Sequence, residues 1–263
     1  MTTMSLSLPP EILDLIFDHL RNELNTLRAC CLVSKSWIMP ARSHLLSRVK
    51  FCSSGSTLKS WMRAFPDPSN SPAPYTRTLR LFHLETVNTA ISDARSWVRA
   101  FSRIVELQVQ VVEIDNDLVS LPQLHGLAPT LKSLTLFYPS FPHPQTLDFI
   151  CSFPLLEDLS VCSSLHFNDD AYEWDAPPTA PKFTGSLRLT GNIRNIARRL
   201  LDLPGGLRFF RITVWCPIRN SDSRNELVST CSETLEYLCV DHCRCALPPA
   251  PAADRTCISY RYS

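Results

Sequence analysis

One spacing pattern returns along most of this chain. An apolar triplet of the form L-x-x-L-x-L occurs as Leu46/Val49/Phe51, Ile104/Leu107/Val109, Leu131/Leu134/Leu136, Leu156/Leu159/Val161 and Leu235/Leu238/Val240. Weaker copies are Leu79/Leu81, Leu187/Leu189 and Leu207/Phe210/Ile212. The central apolar residues stand at 49, 79, 107, 134, 159, 187, 210 and 238, giving steps of 30, 28, 27, 25, 28, 23 and 28 residues. The seven steps from 49 to 238 average 27 residues. Alternation within each triplet is the period of a strand, and a steady return length predicts stacked units that bury one face on their neighbours. Such a solenoid offers a long, nearly continuous surface suited to holding another molecule.

A chain of 263 residues has room for one large or two small domains. Apolar content of 44% supports a packed interior, and a net charge of +1 argues against nucleic acid or an anionic membrane as partner. Six glycines stand against 21 prolines, and the prolines cluster at 66–74, 139–144, 177–181 and 248–251, between the repeats. They read as rigid loop ends, since proline cannot sit within a central strand. No run approaches the roughly 20 apolar residues that span a bilayer. Glu11, Asp14 and Asp18 interrupt the N-terminal apolar stretch, so no secretory signal is expected. Eleven cysteines are then expected as thiols in a reducing compartment, cytosol or nucleus.

The first 45 residues follow a different pattern. In LPPEILDLIFDHL, residues 8–20, Pro9 and Pro10 suit a first helical turn, with Ser7 as cap and Glu11 near the positive end of the dipole. Ile12, Leu13, Ile16 and Leu20 recur at helical spacing, and Phe17 widens the stripe. A second helix is predicted over Thr26 to Val33, with Leu27, Cys30 and Cys31 inward. A third begins near Ser36 and carries Trp37, with Pro40 breaking or restarting it. Helices this short are marginal alone and must pack on each other or on a partner.

The order L-P-x-E-I-L-x-x-I-F-x-x-L, then L-x-x-C-x-x-V-S-K-x-W, resembles an F-box. The matching residues are Leu8, Pro9, Glu11, Ile12, Leu13, Ile16, Phe17 and Leu20, followed by Leu27, Cys31, Leu32, Val33, Ser34, Lys35 and Trp37. The linker Arg21-Asn22-Glu23-Leu24-Asn25 departs from the family, which usually has a longer link with an acidic residue. The resemblance implies a three-helix module that docks on the Skp-family adaptor of cullin-RING ubiquitin ligases, and through it on cullin. It assigns adaptor contacts to Leu8, Pro9, Ile12, Leu13, Ile16, Leu20, Leu32, Val33, Lys35 and Trp37. Leu8, Pro9, Ile12 and Ile16 are the best candidates for the outward group, while other apolar residues close the helical core.

The repeats resemble leucine-rich repeats, and Leu187-x-Leu189-x-x-Asn192 and Leu238-x-Val240-x-x-Cys243-x-Cys245 extend the likeness. Leucines are expected inside, and the residues between them on the concave face of a parallel sheet. The middle row is then Lys50, Arg80, Gln108, Thr135, Ser160, Arg188, Arg211 and Cys239. The row before it holds Arg48, Thr78, Glu106, Ser133, Asp158, Ser186, Phe209 and Tyr237, and the row after it Cys52, Phe82, Gln110, Phe137, Cys162, Thr190, Thr213 and Asp241. Arginine and aromatic side chains are enriched at energetic centres of interfaces. Arg80, Phe82, Phe137, Arg188, Phe209, Arg211 and Tyr237 are therefore the expected substrate-binding residues. Return helices are predicted at Thr57 to Phe65 and Ile91 to Phe101, which share S-W-x-R-A-F, and at Asn195 to Leu203 and Arg224 to Ser232. Phe167 to Lys182 reads as a loop and Thr256 to Tyr262 as a closing edge strand.

Two constellations invite chemistry. Cys239, His242, Cys243 and Cys245 crowd together, but no second C-x-x-C pair completes a zinc site, and the repeat template accounts for two of them. His166, Asp169, Asp170, Glu173 and Asp175 lack the spacing of a calcium loop and read as solvated. No phosphate-cradling glycine loop or nucleophile elbow occurs. The expected organisation is α/β: an F-box over 1–45, then seven to nine leucine-rich-repeat-like units over 46–263, without catalytic residues, cofactor or metal. The implied role is substrate receptor for a protein client. A scaffold whose helices only cap the solenoid, and an enzyme using either constellation, are the alternatives.

Overall fold

The structure is a computed structural model that describes residues 8–52, 57–82, 99–110, 121–137, 143–162, 179–191, 194–215, 221–241 and 258–261. The chain is α/β, with nine strands among the described residues in one sheet ordered as in sequence: β1 Arg48–Cys52, β2 Thr78–Phe82, β3 Glu106–Gln110, β4 Ser133–Phe137, β5 Asp158–Cys162, β6 Ser186–Thr190, β7 Arg211–Trp215, β8 Tyr237–Asp241 and β9 Ile258–Arg261. The first eight are parallel, and β9 closes the sheet antiparallel to β8. Sequential order with parallel strands requires every connection to cross back over the same face, which buries that face.

Each parallel strand is five residues long, with its apolar residues alternating inward. Val49/Phe51, Leu79/Leu81, Leu107/Val109, Leu134/Leu136, Leu159/Val161, Leu187/Leu189 and Ile212/Val214 are all buried. In register they form two continuous apolar rows, Val49 to Leu238 and Phe51 to Val240. A third row lies just upstream, in Ile104, Leu131, Leu156 and Leu235. Burying each such side chain is worth about 1.5–3 kcal/mol relative to exposure.

The residue before each strand tightens the stack. The carbonyl of Ser47 accepts both Arg77 N and Thr78 N at 2.8 and 2.9 Å, and that of Arg77 accepts Val105 N and Glu106 N at 2.8 and 3.0 Å. Val105 O, Lys132 O and Phe210 O each take two amides of the next unit in the same way. Glu157 O takes only Gly185 N among these, at 3.1 Å, because Ser186 N turns to the Asp158 carboxylate at 2.6 Å. A Cβ on Gly185 would lie 2.5 Å from Asp158 Oδ1 and 2.9 Å from the Glu157 carbonyl carbon, so this approach needs glycine.

The return segments seal the buried face. The helix Thr57–Ala64 places Trp61 against β1, with its ring 5.7 Å from Phe51 and 6.0 Å from Phe101. Phe65 lies tilted against Trp61 at 5.1 Å and Phe101 stacks on it, so the two S-W-x-R-A-F copies meet through Trp61 and Phe101. Further helices span His143–Cys151, Arg194–Leu201 and Ser221–Thr230. The predicted helix at 91–101 falls mostly outside the described residues, as does most of the loop at 167–182. Prolines at 66–74 rigidify two single-turn 3-10 segments, Pro68–Asn70 and Ala73–Tyr75.

Before the sheet stand three helices, α1 Pro10–His19, α2 Leu24–Val33 and α3 Lys35–Leu45. They close a separate small core of Leu13, Phe17, Leu27, Cys30 and Ala41, with Trp37 packed edge-on to Phe17 at 5.9 Å. Proline at 10 occupies the first helical turn, and the expected cap Ser7 lies outside the described residues. The Ser34 hydroxyl caps α3 by accepting Ser36 N.

Five expectations need correction. Pro40 neither breaks nor restarts the third helix: α3 runs through it to Leu45, although the position lies beyond the first turn and forgoes the helical amide that would reach the Ser36 carbonyl. The second helix begins at Leu24, two residues before the predicted Thr26. In the seventh unit the central residue is Ile212, paired with Leu187, rather than Phe210. Phe209, expected on the open face, is 0% exposed and packs on Phe183 at 5.1 Å. It fills the inward position three residues before the centre, held elsewhere by Leu131 and Leu156. Leu13, expected at the adaptor surface, is 6% exposed and belongs to the helical core.

The sixth unit lacks an inward residue at Thr184, and Phe183 supplies it instead by adopting a positive φ of 44°. That backbone is strained for a non-glycine residue, by about 1–3 kcal/mol. Full burial of the ring offsets it. Phe209→Ala should cost about 3–5 kcal/mol of stability by cavity formation, whereas Phe210→Ala should shift the urea midpoint little. Equal effects would mean that the register of β7 is misassigned.

Candidate functional site

Two surfaces qualify, one on each core. The first belongs to the helices. Helix α1 carries apolar residues on two faces. Leu13, Phe17 and Leu20 turn inward at i, i+4 and i+7, while Ile12, Leu15 and Ile16 stay exposed at i, i+3 and i+4. Helix α2 ends with Leu32 at 89% and Val33 at 66% exposure, and Leu8, Leu24 and Met39 are also exposed. Eight of the ten large apolar side chains found exposed in the described residues therefore lie between 8 and 39; the other two are Leu155 and Phe210. A patch of this composition marks an interaction surface.

The predicted adaptor residues divide by placement. Leu8, Pro9, Ile12, Ile16, Leu32, Val33 and Lys35 are exposed, Leu20 and Trp37 are half-buried against the helical core, and Leu13 is inside. Leu15, Leu24 and Met39 were not anticipated. Leu15 could have been found by asking which apolar residues of α1 fall off its inward stripe.

The second surface is the face of the sheet opposite the leucines. Corrected for Ile212, its first row reads Arg48, Thr78, Glu106, Ser133, Asp158, Ser186, Arg211 and Tyr237. The middle row reads Lys50, Arg80, Gln108, Thr135, Ser160, Arg188, Thr213 and Cys239, and the third places Trp215 beside Thr190. Arg188 and Arg211 are exposed; Arg80, Phe82, Phe137 and Tyr237 are half-exposed. The triplet Leu207/Phe210/Ile212 leaves Trp215 off this face, and the observed triplet Phe209/Ile212/Val214 brings it on.

Polar groups on this face are unevenly matched. Glu106 accepts Thr78 Oγ1 at 3.1 Å and Gln108 Nε2, and Asp158 accepts Ser186 N and Ser186 Oγ, each at 2.6 Å. The cations lie on rings instead. Lys50 Nζ is 4.8 Å from the centre of Phe82, Arg188 Cζ is 5.1 Å from that of Trp215, and Arg211 Cζ is 5.0 Å from that of Tyr237. Phe82 also meets Phe137 at 5.9 Å across the intervening strand. Arg80 Nε, Thr190 Oγ1 and Trp215 Nε1 are buried without a hydrogen-bond partner among the described residues.

Reactive groups are few. No cluster of three His, Cys, Asp or Glu side chains among the described residues is placed to hold a metal ion. Residues 166–175, and His242, Cys243 and Cys245, lie outside those residues, and Cys239 is buried. Burial, with Asp148 nearby, pushes the Cys151 thiol up to about 12. Burial also raises Cys231, opposed by a hydrogen bond with the Phe209 backbone, and lowers His125. Among the described residues, no helix is long and apolar enough to cross a membrane.

No family profile, curated protein or solved structure matches this chain.

Only the thiolate is nucleophilic, so the raised Cys151 should react slowly. At pH 8 its alkylation by iodoacetamide should be at least roughly 100-fold slower in the native chain than in urea. Peptide mass spectrometry at timed intervals reads this directly; equal rates would show an accessible thiolate.

Proposed function

We propose that this chain is a substrate receptor of a Skp-cullin-F-box type ubiquitin ligase, its F-box-like helices gripping the Skp-family adaptor and its leucine-rich-repeat-like stack holding a protein client. One observation carries the reading: three short helices form a core of five small-to-large residues yet leave eight large apolar side chains outside it. A surface so unlike the rest of the described chain calls for a partner that covers it. The residue order of the F-box resemblance falls on the same helices, with Leu8, Ile12, Ile16, Leu32 and Val33 outward.

The mechanism is positional. The chain tethers client and adaptor, raising the effective concentration of client lysines near a ubiquitin-charged enzyme, and contributes no acid, base or nucleophile. This role places the protein in cytosol or nucleus.

A second reading, an interaction scaffold whose helices merely cap the stack, draws on the junction. Only Leu46 and Ser47 separate α3 from β1, and Tyr75 reaches Met39 Sδ at 3.6 Å. A terminal unit does need covering.

Ile12→Asp combined with Ile16→Asp discriminates the two, because both side chains are exposed and neither closes the helical core. The ligase reading expects loss of co-purification with a Skp-family adaptor by more than about 100-fold in affinity, from roughly 3–6 kcal/mol of apolar contact. The thermal midpoint should hold. Absence of any complex with the unaltered chain would favour the cap.

A further inference from the structure

We propose that the open face of β6, β7 and β8 takes an acidic peptide segment lying along the strands, with two carboxylate side chains engaged separately by Arg188 and Arg211. The inference rests on the reading of that face as the client-holding surface, and it names the chemistry of the client.

The charge balance of the face points this way. Of the carboxylates that the register places on this face, Glu106 and Asp158 are already taken by Thr78, Gln108 and Ser186, and Asp241 holds the position beside Trp215. Against them stand five cations, at Arg48, Lys50, Arg80, Arg188 and Arg211. Among the described residues its two exposed arginines near the C-terminal end form no ion pair, the pairs there being His44–Asp18 and Lys132–Glu157. Each guanidinium instead lies over a ring, Arg188 on Trp215 and Arg211 on Tyr237, with Phe210 5.8 Å away on its other flank. Stacking engages the flat face of the group and leaves its N–H edges for a planar anion such as carboxylate. It also restricts the side chain in advance, so less freedom is lost when ligand arrives.

The separation of the two arginines defines the ligand further. Arg188 pairs with Thr213, two residues beyond Arg211 on β7. At about 3.3 Å per residue, the two arginines are offset by roughly 7 Å along the strands. An extended peptide presents alternate side chains on one face at that same spacing, so carboxylates two residues apart match it. Single-stranded nucleic acid fits less well, because it stacks bases on free aromatic faces, and both rings here already carry a guanidinium.

The test uses the full chain and fluorescence anisotropy with a labelled Ser/Gly decapeptide bearing Glu at positions 4 and 6. The expected result is saturable binding at least tenfold tighter than for the same peptide with Gln, weakening as salt is raised. Arg188→Gln combined with Arg211→Gln should weaken it at least tenfold with an unchanged thermal midpoint, while Lys50→Gln, at the far end of the sheet, should not. Equal binding of Glu and Gln peptides, an unaffected double variant, or tighter binding of a single-phosphoserine peptide or of oligouridylate would each overturn the proposal. Adaptor co-purification on the same samples separates the two readings. Adaptor bound without acidic-peptide binding overturns this inference alone, whereas peptide binding without adaptor supports it and removes the ligase reading.

Discussion

The architecture depends on one backbone interaction repeated at the entrance of each strand. A carbonyl just upstream of the strand receives the first amides of the next unit, as Ser47, Arg77, Val105, Lys132 and Phe210 do. That contact sets where each strand begins, and alternation then sets which residues point inward. A slip of one residue would turn a leucine pair to solvent and a polar row to the core, so every unit must meet the same register. Local departures confirm how strict this is. Phe183 accepts a left-handed backbone to deliver a ring inward, and the Asp158 carboxylate stands in for a carbonyl where Ser186 needs an acceptor.

A scaffold secured by its leucines and backbone leaves the opposite row free to vary. Nothing in the packing of the core demands arginine at 188 or 211, or tryptophan at 215, and these are the residues from which recognition can be built. The helical head works differently. Its core is small, and the apolar residues it leaves outside outnumber those inside. In the proposed ligase reading this is an economical division: a short module for a common adaptor, and a long face for one client. Both ends of the chain then act by holding, and chemistry belongs to a partner.

Much of the sheet was legible in the sequence because strand alternation and a steady return length are both simple signals. Seven of the eight central residues coincide with observed register positions, from Val49 to Leu238. The exception is instructive. In Leu207-Arg208-Phe209-Phe210-Arg211-Ile212, two overlapping triplets compete, and nothing local says which phenylalanine is inside. Tertiary packing against Phe183 decides it, and with it the place of Trp215. On α1 an apolar residue at nearly every position concealed two stripes, so Leu13 was placed outside and Leu15 was passed over. Cation–π pairs, and the capture of Glu106 and Asp158 by neighbours, are cross-strand contacts that no short window of sequence reveals.

The central claim is that these parallel strands share one continuous buried spine, separate from the small core of the helices. Native-state hydrogen exchange of the intact chain tests it most directly. Amides of Thr78, Glu106, Ser133 and Tyr237, which donate to the carbonyls between units, should exchange together and orders of magnitude more slowly than those of α2. Exchange at these four positions as fast as in α2, or at four unrelated rates, would contradict a common spine.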